Sequence, residues 1–186
     1  MIENLIVPQI EGSRQLDLSR GVFATYDIQG EKHELLLKGI EPYWQYANET
    51  DIEQITVRAV DNYIIAVFTV ASGQGGVVTV WNADGELIHI SSGSFGLAST
   101  IFDGYVYTLC AVINWGHPLS FSLKRIRLGA MDAFEEDSDE VEGFVFNERE
   151  VYDASLHGEV VFLEVNANEC VISTLNKEYR IRYCEN

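Results

Sequence analysis

The chain has 186 residues, 29 acidic against 12 basic, for a net charge of −17, with 47% apolar and 11% aromatic content. That apolar fraction excludes a disordered chain, and the length suffices for one domain with a real core. Phosphate-bearing surfaces repel such a charge, so neither nucleic acid nor an anionic membrane is an expected partner.

A basic protein is the natural complement, because opposite fields speed encounter and suppress wrong partners. Acidity also serves plain solubility. No apolar run reaches the ~18 residues a membrane helix needs. Met1-Ile2-Glu3-Asn4 lacks the basic start and apolar core of a signal peptide, so a cytoplasmic protein is expected. Cys110, Cys170 and Cys184 are odd in number and fit no zinc spacing, which reads as reduced, buried thiols. A Cys170–Cys184 disulfide would need an oxidising compartment.

In chain order, residues 2–10 form an apolar segment with Pro8, which marks an edge strand and is a candidate to complete the last unit of the fold. Gln15–Asp27 and Lys32–Lys38 read as strands around Gln29-Gly30. Glu41–Asn48 crowds Tyr43, Trp44 and Tyr46 into a loop after Pro42, a rigid amphipathic surface if exposed and a core plug if buried. Glu49–Val57 is ambiguous, and a short helix is one reading. Gly76–Trp81 is a β-rich run, Asn82-Ala83-Asp84-Gly85 a turn, and Glu86–Ile90 the returning strand. Ser91–Gly96 reads as a loop. Asn114–Pro118 is a second aromatic loop around Trp115. Lys124-Arg125-Ile126-Arg127 alternates basic and apolar, as a half-solvated strand does.

The acidic insertion follows at once. Asp132, Glu135, Glu136, Asp137, Asp139, Glu140 and Glu142 place seven carboxylates within eleven residues. Their mutual repulsion favours an extended, mobile loop, and pairing with the basic strand is expected to contribute only ~0–1 kcal/mol per exposed pair. Asp137–Glu140 resembles the start of a calcium loop, but Val141 and Glu142 stand where an oxygen ligand and a glycine are needed. Strands resume from Phe144 onward.

One phrase recurs. Val60-Asp61-Asn62-Tyr63-Ile64-Ile65-Ala66 is echoed by Phe102-Asp103-Gly104-Tyr105-Val106-Tyr107-Thr108, each an apolar residue, a polar two-residue turn, an aromatic and a buried run. Weaker copies are Leu18–Ala24 and Leu156–Phe162. Leu18 precedes Val60 by 42 residues, Val60 precedes Phe102 by 42, and Phe102 precedes Leu156 by 54. Removing the insertion makes the spacing nearly even. Periods in the low forties suit four-stranded blades. With its Val-Trp-Asn-Ala-Asp-Gly-Glu-Leu stretch at 80–87, the chain resembles β-propeller repeat proteins, best in the second and third units. The resemblance implies one all-β domain over residues 1–186, a small propeller-like repeat of about four units interrupted at 132–142. A β-sandwich or barrel with similarly spaced hairpins is the alternative.

His33, His89, His117 and His157 are not paired at ligand spacing, so neither a metal nor a cofactor is expected and no catalytic set is assigned. The function expected is a non-enzymatic acidic protein-binding module, most concretely an inhibitor or immunity-type protein that neutralises a basic partner. Carboxylates 132, 135, 136, 137, 139, 140 and 142 would steer the encounter, and Trp44 and Trp115 would serve as anchors. The alternative is a ligand-binding or hydrolytic β protein with a loop-built central cleft.

Overall fold

A computed structural model describes residues 4–6, 22–28, 31–37, 52–70, 76–93, 96–112, 120–131, 133–134, 137–146, 151, 162–174 and 176–183. Among these the architecture is all-β, in four sheets built mainly of antiparallel strands.

The first sheet joins β1 (Asn4–Ile6), β2 (Val22–Ile28) and β3 (Glu31–Leu37) in the order β1-β2-β3. Asn4 lies opposite Asp27, so the N-terminal segment belongs to this sheet and does not complete the last one. In the second sheet, β4 (Ile52–Val60), β5 (Tyr63–Val70), β6 (Gly76–Trp81) and β7 (Leu87–Gly93) pair as a meander. The helix considered for 49–57 gives way to β4 from Ile52. Ile55, Thr56 and Val57 are β-branched, and each has a register partner on β5. Likewise, Ser91–Gly93 continues β7 where a loop was expected.

The third sheet repeats the plan with β8 (Gly96–Phe102), β9 (Tyr105–Val112) and β10 (Ser120–Arg127). After β10 the chain crosses back to the second sheet, where β11 (Ala133–Phe134) lies parallel to β7. It then returns to the third sheet as β12 (Asp139–Glu140), antiparallel to β10. The fourth sheet is β13 (Phe162–Val165), β14 (Glu169–Ser173) and β15 (Glu178–Arg182).

The recurring phrase marks the same hairpin twice. Val60 pairs with Tyr63, and Phe102 pairs with Tyr105, each across a two-residue turn. Asp61 (φ 52°) and Asp103 (φ 47°) both adopt left-handed backbone, and Gly104 (φ 76°) follows in the same region. Each first strand also carries a bulge near its start, between Ile52 and Gln54 in β4 and between Gly96 and Ala98 in β8. The weaker copies fare differently. Val22 begins β2, the second strand of its sheet, as Tyr63 begins β5. Leu156–Val161 lies outside the described residues, and Phe162 opens β13. The corresponding turn of the fourth sheet is Asn166–Asn168, one and a half intervals beyond Asp103.

Because successive strand residues point to opposite faces, the strand register also fixes how the sheets stack. Ile65 and Val67 of β5 pack with Val78, Val80 and Val106, joining the second sheet to the third. Forty-two residues on, Tyr107 and Leu109 of β9 pack with Phe121, Leu123, Leu163, Cys170 and Ile172, joining the third sheet to the fourth. Val106, the counterpart of Ile64, points back to the second sheet. Equivalent positions therefore hand contact onward from one sheet to the next. Leu109, Leu123, Leu163 and Ile172 are fully buried, each worth about 1.5–3 kcal/mol in apolar transfer. The first strands are neighbours in series, β1 by β4, β4 by β8 and β8 by β13.

The fourth sheet's other face is charged. Glu164, Val171 and Arg180 form one cross-strand row, with Val171 buried between two exposed charges. Arg180 Nη1 reaches Glu169 at 3.0 Å and its Nε reaches Glu178 at 2.8 Å.

Candidate protein-interaction site

Of the predicted site residues, Trp44, Trp115, Asp132, Glu135 and Glu136 lie outside the described residues. Asp137, Asp139, Glu140 and Glu142 are described, and all four are exposed. They are not a free loop. Glu140 sits opposite Lys124 and Asp139 opposite Arg125, so the insertion donates a fourth strand to the third sheet. The physical reason is the edge of β10, whose backbone groups need partners and find them in the nearest chain.

Anchors on both sides fix this strand. Upstream, the Ile90 amide donates to the Ala130 carbonyl at 3.1 Å, and Ala133 pairs with Ser91. Downstream, the Val141 amide donates to the Leu123 carbonyl at 2.8 Å, and the Phe121 amide donates to the Phe146 carbonyl at 3.0 Å. Gly143 (φ 75°) turns the chain so that Phe146 enters the core between the third and fourth sheets. Its ring lies 5.4 Å from Phe121 and 5.3 Å from Tyr179, centroid to centroid.

The basic strand beneath is partly engaged. Arg125 Nε stands 4.0 Å from an Asp139 carboxylate oxygen, and the guanidinium lies 5.0 Å over the Tyr105 ring. Its pKa is raised above the ordinary arginine value, first by a hydrogen bond with the Tyr107 side chain and further by Tyr105 and Asp139. The carboxylates thus project outward from a backbone held in place, beside one stacked cation. Met131 (44% exposed) and Val145 (74% exposed) bracket them, two apolar side chains in water. Sequence reasoning missed both, although each is an apolar residue beside the acidic run.

A second polar feature is sealed inside. His89 Nε2 lies 3.1 Å from Ser91 Oγ on the same strand, and both residues are buried. That distance suits a nucleophile and its base, but substrate has no surface access to either. Sequence patterning suggested a satisfied structural histidine, whereas Nδ1 has no hydrogen-bond partner. Burial lowers the His89 pKa to about 4, opposed by the Arg127 backbone carbonyl. Burial likewise pushes the Cys170 thiol up to about 12. His33 lies on β3, and His117 and His157 lie outside the described residues. Among the described residues, no group of three or more His, Cys, Asp or Glu could hold a metal ion. Nor is any helix there long and apolar enough to cross a membrane.

In comparisons with known proteins, no family model matches the chain and no curated protein matches it. Fold and surface define an all-β protein whose third sheet is edged by an exposed acidic strand.

Proposed function

We propose that the protein is a non-enzymatic, cytoplasmic binding module whose acidic edge captures a basic protein, in the manner of an inhibitor or immunity protein. We further infer that its four sheets are blade-like units of a propeller-like repeat, a reading supported by the serial contact of first strands and the matched hairpins. The observation that carries the functional reading is the strand Asp139–Glu140, held on β10 with Asp137, Asp139, Glu140 and Glu142 all turned to water. Holding those charges on fixed backbone lowers the ordering cost of recognition. Met131 and Val145, which flank the acidic run in sequence, add exposed apolar area, and the field steers a cationic surface into place.

A salt series with the immobilised protein tests this. Retention of a basic partner from lysate should be strong at about 0.05 M salt and weak at about 0.5 M, where charges are screened within a few ångströms. The Asp139→Asn/Glu140→Gln/Glu142→Gln triple variant should lose most of it. Retention that ignores both salt and neutralisation would rule the reading out.

A further inference from the structure

The buried histidine stands where the acidic strand is tied to the rest of the fold. His89 lies on β7 and Ile90 follows it. Its amide holds the Ala130 carbonyl, and Ser91, the hydrogen-bond partner of His89, pairs with Ala133. The Leu128 amide donates to Gly104 at 2.9 Å, and the Ala130 amide donates to Arg127 at 3.2 Å. Arg127–Met131 and Ala133–Phe134 are therefore a strap crossing from the third sheet to the second, with the Arg127 carbonyl against the His89 ring.

We propose that His89 is an acid-sensitive latch, which keeps this strap closed while neutral and lets it open on protonation. A neutral ring is stable in the site, with Nε2 on the Ser91 hydroxyl and Nδ1 left in a dry environment. A cationic ring there has no carboxylate to answer it among the described residues. Glu86, on the same hairpin, and Asp103, at the β8–β9 turn, are exposed. On the side of the third sheet that faces the second, Lys124 is half-buried and Glu140 exposed, and Arg127 meets the histidine through its carbonyl only. Burying an unpaired charge is costly, and opening the strap gives the ring access to water.

The sign follows from linkage. The closed-state pKa of about 4 lies below the ordinary value of 6.5, so the open state binds the proton more readily. Opening is then favoured as pH falls below 6.5, by about tenfold per pH unit, until the closed form also protonates near 4. The latch stands whether or not the acidic edge binds a basic protein.

Amide hydrogen exchange of the whole chain between about pH 5 and pH 7, corrected for intrinsic rates, tests this. The Ile90 and Leu128 amides should lose protection about tenfold per unit of acidification, while β14 amides stay protected. The same amides in His89→Gln should show no such slope. Equal slopes in both proteins, a flat wild-type profile, or parallel loss in β14 would each overturn the latch. Should His89→Gln fail to fold, the wild-type ring titration read by NMR decides: a midpoint well below 6.5 supports the latch, and an ordinary one overturns it.

Discussion

Asp61 and Asp103, forty-two residues apart, occupy the same left-handed position at the tip of two hairpins with matching register. Aspartate tolerates this conformation better than most residues, and Gly104 carries the next position at φ 76°.

A methyl group at Gly104 would meet no atom within 4 Å, so Gly104→Ala tests backbone strain without a clash. It should lower stability by about 1–2 kcal/mol. Urea denaturation should show a lower midpoint with an unchanged m-value.

Val80 with Val106 and Leu109 with Ile172 belong to two different seams, on opposite faces of β9. Leu109→Ala should cost about 2–5 kcal/mol. Double-mutant cycles should give coupling above about 0.5 kcal/mol within each seam. Val80→Ala with Ile172→Ala should be additive, which equilibrium unfolding of the four variants checks.

The Arg125–Asp139 pair is exposed on both sides and 4.0 Å long, so Asp139→Asn should change stability by less than about 1 kcal/mol. Arg125→Ala should cost more, because it also removes the stack on Tyr105. Comparing the two melting temperatures at low and high salt separates the contributions, and only the Asp139 effect should vanish with salt.

Cys110 and Cys170 are buried thiols, and burial holds the Cys170 thiol far above the range in which thiolate forms. A thiol reagent at about pH 8 should leave both unlabelled in the native protein and label both in denaturant, as read by peptide mass. Native labelling of Cys170 would show that the fourth sheet opens readily.

Much of this arrangement was legible in the residues. The turns at Asp61-Asn62, Asn82–Gly85 and Asp103-Gly104 announce hairpins through side chains that suit them. Asn82 Oδ1, for instance, accepts the Asp84 and Glu86 amides at 3.0 and 2.9 Å. What local pattern did not reveal depended on distant partners. Ile52–Val57 becomes strand because β5 is beside it, and Asp139–Glu140 becomes strand because the edge of β10 outweighs the repulsion of a few exposed carboxylates. The turn of the fourth sheet was not legible because Asn166 builds it by accepting the Asn168 and Glu169 amides, a chemistry unlike the Asp-Gly phrase. The burial of His89 left no signature in its neighbours, since a half-solvated strand and an inter-sheet strand share the same alternation.

Glu164, Glu169, Glu178, Arg180 and Arg182 give one face of the fourth sheet a lattice of charges. An apolar surface laid against it would have to strip water from these ions without offering them new partners, which is unfavourable. This side of β13–β15 thus resists apolar association, and burying it against an apolar surface would first require that it be rebuilt in aliphatic residues.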